Sequence, residues 1–246
     1  MSKKSLLLIA VFCINMVHAQ THSRGKLVWK ANVYDIYIVC ADSLSLSRFS
    51  ILQNPQHLRH RDIVSRYTLP DSNVLLINAG ISGISCMPEG WLVADGTQLG
   101  ALNLKDGNAN FYLKPNGVLL IADGKAVISE SSNAASYKNV RIAVQSGPLL
   151  LNNSVYNPQI KPGSSNKNIR CGVGLYYKNG VPWLVFATSV NAVNFYDFAC
   201  LFKERYNCKN ALCLESAGCA MYAPYIGRAN ATDDFVICNY ILYKEQ

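Results

Sequence analysis

Short apolar blocks rich in β-branched and aromatic residues, separated by turn residues, run through most of this chain. That pattern predicts strands far more often than helices. Lys26 to Ala41 reads as one strand, and Phe49 to Leu52 adds a short partner. Leu58, Ile63 and Val64 fall on one face of an otherwise polar, basic stretch, so Pro55 to Tyr67 predicts a surface helix. Val74 to Asn78 is a short apolar strand that runs into the small-residue loop Asn78-Ala79-Gly80.

Further on, the blocks are punctuated by Asp95-Gly96, Asp106-Gly107, Asn116-Gly117, Asp123-Gly124 and Asn179-Gly180. Such pairs supply the positive φ angles of tight hairpin turns. Leu113 to Val127 therefore reads as consecutive antiparallel hairpins, and Tyr176 to Ala187 as another. Asn152 to Asn168, rich in Asn, Pro, Gly and Ser, reads as an exposed loop. One helix is well specified: Asn194 is its N-cap, Asp197 sits at N3 as in a capping box, and Phe195, Phe198, Ala199 and Phe202 form its apolar face. It should stop near Asn207. The chain then enters Asn210 to Pro224, a buried strand that ends in Glu215, passes through small residues and becomes apolar again at Met221-Tyr222. The fold class expected is α+β: many short, mostly antiparallel strands in a mixed sheet core with two or three helices.

Composition narrows this picture. Half of the 246 residues are hydrophobic and 15% are charged, enough apolar material for a sizeable core and too little charge for disorder. Lys3-Lys4, the apolar run Leu6 to Val17 and the small-residue site Val17-His18-Ala19 read as a secretory leader over residues 1–19. The expected mature chain is a single domain, 20–246, exported to the periplasm or the extracellular space. The leader's apolar run is too short for a membrane span, and no later stretch approaches that length. Without Lys3 and Lys4 the formal net charge falls by two from +8, to +6. The cationic residues are scattered and not interleaved with aromatics, which argues against a nucleic-acid groove and for a surface tolerant of anionic ligands. Cys40, Cys86, Cys171, Cys200, Cys208, Cys213, Cys219 and Cys238 follow the leader, an even set that raises the expectation of a disulfide. Cys200, Cys208, Cys213 and Cys219 are the densest pool. None has the paired spacing of a zinc site, so no metal and no cofactor is expected.

The candidate chemistry is sparse. All four histidines lie at or before His60, which disfavours a Ser-His-Asp or Cys-His hydrolase. Asn78-Ala79-Gly80 is either a turn or a ligand loop, its amide and backbone N–H groups facing a sugar or phosphate. Gln145-Ser146-Gly147-Pro148 interrupts an apolar run, as a β-bulge or as an anion contact through backbone N–H groups. Arg170, before Cys-Gly-Val-Gly, is a solvated edge residue or the preferred anion-binding side chain, since guanidinium matches phosphate in shape and charge. Asp197 is assigned to the helix cap. Glu215 has no evident local partner; a partly desolvated carboxylate has a raised pKa and suits general acid–base work. Asn152 and Asn230 begin glycosylation sequons, relevant in a eukaryotic secretory route.

Seven stretches in order carry a resemblance: Asn78-Ala-Gly-Ile, Gly90-Trp-Leu-Val-Ala-Asp-Gly, Asn110-Phe-Tyr-Leu-Lys-Pro-Asn-Gly-Val, Ala143-Val-Gln-Ser-Gly-Pro-Leu-Leu, Arg170-Cys-Gly-Val-Gly, Val193-Asn-Phe-Tyr-Asp-Phe-Ala and Asn210-Ala-Leu-Cys-Leu-Glu. Together they resemble the phosphodiester glycosidase domain family of the "uncovering" enzyme type, in its exported bacterial branch. The resemblance spans Val33 to Tyr243. It implies hydrolysis of a sugar-1-phosphodiester, with a carbohydrate or glycan-phosphate substrate. It maps Asn78, Gly80, Gln145, Ser146, Gly147, Arg170 and Ser216 to substrate binding, with Lys114 adding charge, and Glu215 to catalysis. The sequence departs from the family where an Asp becomes Glu215, a Gly pair becomes Ser216-Ala217 and a Ser becomes Cys219. The added methylene moves a carboxylate by about 1 Å, a distance that matters to rate. A hydrolase and a non-catalytic glycan- or sugar-phosphate-binding protein on the same fold both follow from these residues. A disulfide-stabilised structural protein would lack an anion site altogether.

Overall fold

The structure, a computed structural model, describes residues 22–67, 73–83, 85–223 and 235–245. The expected leader and the Asn230 sequon lie outside the described residues.

In chain order the first strands are β1 (His22–Trp29), β2 (Asn32–Cys40), β3 (Phe49–Gln53), β4 (Val74–Asn78), β5 (Leu92–Ala94), β6 (Thr97–Gly100), β7 (Gly117–Ala122) and β8 (Lys125–Glu130). They are followed by β9 (Val140–Ser146), β10 (Leu149–Asn152), β11 (Val155–Tyr156), β12 (Cys171–Lys178), β13 (Val181–Ser189), β14 (Asn210–Glu215), β15 (Met221–Tyr222) and β16 (Asn239–Lys244). The helices are α1 (Ser43–Ser47), α2 (His60–Tyr67) and α3 (Phe195–Cys200), the last continued by a π-helical turn over Leu201–Arg205. Three sheets result, ordered β1-β2-β13-β12-β14-β10-β11, β15-β4-β16-β3 and β6-β5-β9-β7-β8. Every pairing between these strands is antiparallel. The architecture is α+β and mostly β, as the hydrophobic pattern predicts.

Three of the five expected hairpin turns form. Asp95-Gly96, Asp123-Gly124 and Asn179-Gly180 all carry positive φ at both positions and join β5–β6, β7–β8 and β12–β13. The other two glycines serve close packing instead. A Cβ on Gly107 would stand 2.5 Å from the Tyr112 ring, and one on Gly117 2.7 Å from Leu149 Cδ1. Leu113 to Val127 is consequently one hairpin preceded by a loop, not a series. The stretch from Lys26 to Ala41 also differs from expectation. It is two strands, turned at Lys30 (φ 45°) and Ala31 (φ 61°), where no Gly or Asn advertises the turn.

The glycines of β12 follow from helix packing. α3 lays Phe198 and the adjoining Phe202, both fully buried, across the sheet. A Cβ on Gly172 would lie 3.0 Å from Phe198, and one on Gly174 2.6 Å from Phe202. Burying each of these rings is worth ~1.5–3 kcal/mol, and any larger residue at 172 or 174 would push them away. Asn194 caps α3 through a 2.8 Å bond from the Asp197 N–H, as expected.

The disulfide lies outside the dense cysteine pool. Cys86 and Cys238 are bridged across 152 residues, tying the loop before β5 to the start of β16. Cys200, Cys208, Cys213 and Cys219 are free and buried. Sequence proximity misleads here: Cys213 and Cys219 each turn their thiol to the Glu215 carbonyl oxygen, at 3.1 Å.

Candidate functional site

The termini of four strands meet around one loop. β4 ends at Asn78, β9 at Ser146 and β14 at Glu215, and β12 begins at Cys171, just after Arg170. The loop is 215–220, between β14 and β15. Its first residue is opposite Cys171 across a register shift in the β12–β14 pairing. Pairing joins only β12 and β14; β4 and β9 belong to the other two sheets, and their ends reach the loop through the packing of the three sheets on one another.

Each wall of the site holds that loop or the β14 residue just before it. Asn78 donates from Nδ2 to the Gly218 carbonyl (2.9 Å) and accepts at Oδ1 from the Ala220 N–H (2.9 Å) and, more weakly, from the Cys171 thiol (3.6 Å). Ser146 donates its hydroxyl to the Leu214 carbonyl at 2.9 Å. Arg170 is fully buried. Its Nη1 donates to the Ser216 carbonyl (2.8 Å), Nε to the Val193 carbonyl (3.3 Å), and Nη2 to the backbone and side-chain oxygens of Asn166 (both 3.0 Å). The guanidinium also stacks on Phe195 of α3, 3.7 Å from the ring centroid. Burial lowers its pKa, and no carboxylate forms a salt bridge with it among the described residues. Arg170 is therefore an internal clamp, not a solvated edge residue.

Glu215 is half-buried, and its Oε1 accepts from the Ser216 N–H (2.6 Å) and the Ala217 N–H (3.2 Å) of its own loop. Desolvation raises its pKa; those backbone N–H groups and the Arg170 charge pull the other way and are outweighed. Ser216 is buried, and its Oγ accepts from Asn110 Nδ2 at 2.9 Å, whereas Ala217 is exposed and has room for its methyl.

Gly80 and Gln145 touch: a Cβ on Gly80 (φ 82°) would lie 2.8 Å from the Gln145 carbonyl oxygen. Only a residue at ease with positive φ and without a Cβ fits there. The Gln145 amide is spent on protein, accepting from the Trp91 and Asn103 N–H groups (2.8 and 2.9 Å) and donating to the Asn103 carbonyl (2.6 Å). Gly147 packs its Cα against the Phe111 carbonyl, where a Cβ would stand 2.3 Å away. Lys114 is different. Its ammonium is bound to the Leu104 carbonyl (2.6 Å) and to Asp106 (2.9 Å), and makes no hydrogen bond to any other predicted site residue.

Sequence reasoning missed Asn103, Asn110, Asn166 and the pair Glu89–Tyr112, in which the phenol donates to the carboxylate. That bond raises the Tyr112 pKa. Tyr112 is two residues from Asn110, so a second carboxylate stands near the short turn that supports Ser216. The available signal was Gly90, next to Glu89: a Cβ there would meet Gln145 Oε1 at 2.6 Å. No group of His, Cys, Asp and Glu suited to a metal ion is found among the described residues.

An all-antiparallel three-sheet frame with a carboxylate loop clamped by Asn, Ser and Arg is thus the arrangement to be placed. The family model for phosphodiester glycosidase matches residues 71–226, and the chain belongs to that family. The uncharacterized protein YigE of Escherichia coli (strain K12) is 40% identical over 148 residues, 60% of this chain and 57% of that protein. The match thus spans little more than half of that relative's length. Among solved structures, the catalytic domain of the zebrafish N-acetylglucosamine-1-phosphodiester alpha-N-acetylglucosaminidase, auto-inhibited by its pro-peptide, aligns with a TM-score of 0.61 at 14% identity, covering 92% of this chain and 82% of that one. A hypothetical protein from Synechocystis aligns with a TM-score of 0.54 at 11% identity, covering 91% and 62%. At such identities the likeness is one of fold.

Proposed function

We propose that this protein is an exported hydrolase of sugar-1-phosphodiesters, with Glu215 as its acid–base or water-positioning group. The observation that carries the reading is the convergence of Asn78, Ser146 and Arg170 on the loop that presents Glu215. Water would attack the anomeric carbon, the bond from that carbon to the phosphate oxygen would break, and the phosphate monoester would leave with the second partner. A desolvated carboxyl with a raised pKa supports proton transfer in such a step. Arg170, fully buried, would serve the phosphodiester indirectly, through its charge and through the loop it holds at Ser216. Ser146 and Gly147 border the same loop, while Gly80 and Gln145 shape its wall. Lys114 would contribute through its field alone.

A second reading has its own support. The Asn78 and Gln145 amides and most of the Arg170 fork are spent on protein oxygens and N–H groups, as in a site that keeps its frame and has lost turnover. A non-catalytic glycan- or sugar-phosphate-binding protein fits that pattern. Release of phosphate monoester from a sugar-1-phosphodiester model compound separates the two. The hydrolase reading expects turnover that falls about 10²–10⁴-fold in Glu215→Gln. Binding without turnover, unchanged in that variant, supports the binding protein.

A further inference from the structure

A cavity of about 180 Å³ lies between the β1–β2 turn and α3, lined by Trp29, Lys30, Asn32, Tyr196, Asp197 and Cys200. It stands at the same end of the seven-stranded sheet as Glu215. The pairings align Glu215 with Cys171, Thr188 and Asp35 in one row, and Trp29 and Asn32 lie opposite each other three residues beyond Asp35. Three to four strand spacings separate β14 from these residues, roughly 14–19 Å across the sheet. α3 joins the two places, since Phe195 carries the Arg170 guanidinium while the next two residues line the cavity.

The lining has a specific chemistry. Trp29 and Tyr196 supply apolar ring surface, and Tyr196 is braced by Tyr156 at 4.9 Å between centroids. Asp197 is the residue that the capping pattern assigns to the helix, yet only its backbone N–H takes part in the cap; its carboxylate makes no hydrogen bond or ion pair among the described residues. Asn32 accepts from Asn191 and has a long 3.3 Å bond to the Lys30 carbonyl, which leaves amide capacity at the rim. A ligand cation is disfavoured, because Lys30 already places its ammonium 4.6 Å from the Trp29 ring centroid. An anion is disfavoured by Asp197 and by Glu204, which pairs with Lys30. Ring surface with a few fixed polar groups and no net call for charge suits a neutral polyhydroxylated ring: C–H faces on the aromatics, hydroxyls on Asp197 and Asn32.

We propose that the Trp29–Asn32–Tyr196–Asp197 cavity binds one pyranose ring, as a glycan subsite distinct from the Glu215 loop. It does not depend on turnover at Glu215, so its failure and the failure of the hydrolase reading are separately visible. The test uses the full exported chain and a panel of methyl hexopyranosides, with and without a 2-acetamido group, read by saturation-transfer NMR and tryptophan fluorescence. At least one glycoside should bind to wild type and to Glu215→Gln with similar affinity. Trp29→Ala and, separately, Asp197→Ala should weaken it roughly tenfold or more. Asp197→Ala alters a surface side chain, and circular dichroism of both variants checks their folding. Three results overturn the proposal: no glycoside binds, binding is lost in Glu215→Gln but not in folded Trp29→Ala or Asp197→Ala, or tetramethylammonium binds at the cavity in place of the sugars.

Discussion

Arg170 Nη1 and the carbonyl oxygen of Ser216 stand 2.8 Å apart, which makes a buried guanidinium the support of the loop that presents Glu215. The remaining bonds of that guanidinium run to Val193 and Asn166, from the segments before α3 and before β12. A change at Arg170 is therefore felt in three segments at once.

Arg170→Lys keeps the charge and loses the fork. A lysine cannot reach Ser216, Val193 and Asn166 together, so buried carbonyls are left without donors. The expected loss is at least about 2 kcal/mol in urea denaturation. An unchanged midpoint would show that these bonds carry little of the loop's stability.

Asn78→Ala removes the donor to Gly218 and the acceptor for Ala220, both on the far side of the same loop. About 2–3 kcal/mol should be lost, because two backbone groups lose their partner in a buried place. Asn78→Asp keeps an acceptor for Ala220 and should fall between wild type and Asn78→Ala.

Glu215 has a pKa raised by desolvation, so the folded state holds its proton more tightly than the unfolded chain does. The stabilisation linked to that proton is complete below the ordinary carboxylate range. It is lost as pH rises through the folded value. Glu215→Gln, which can still accept from the Ser216 and Ala217 N–H groups, should melt above wild type at neutral pH. The difference should shrink as pH falls from the raised folded value down to the ordinary carboxylate range. Parallel melting curves for the two proteins across that range would contradict the assignment.

The Cys86–Cys238 bridge closes a loop of 152 residues. Replacing both cysteines by serine should cost about 2–5 kcal/mol, the usual consequence of freeing so long a loop in the unfolded chain. Thiol labelling of denatured protein comprising residues 20–246 should count six thiols, matching the free cysteines. A count of eight, or a labelled Cys86, would contradict the bridge.

Strand blocks and the α3 cap were legible in the sequence because their cause is local. Asn194 bonds three residues along the chain, and the Asp-Gly and Asn-Gly hairpins need only their own φ angles. The Lys30-Ala31 turn was not legible, because nothing in those two residues asks for positive φ; the pairing of β1 with β2 imposes it. The site was half legible. Asn78, Ser146, Arg170 and Glu215 do meet, but the sequence suggested that they faced a ligand. Most of their polar atoms are bonded to protein groups instead, in the loop and in the segments around it.

By itself the sequence determined the alternation that builds short antiparallel strands and the capped helix, and its ordered motifs mark the family. The strands and the capped helix follow from neighbours a few residues apart, through backbone angles and side-chain period. Tertiary structure decided which cysteines bridge, that Arg170 is buried as a clamp, and that Asp197, whose N–H joins the cap, also lines a cavity beside α3. Those outcomes depend on contacts between residues up to 152 positions apart, and no local pattern encodes them.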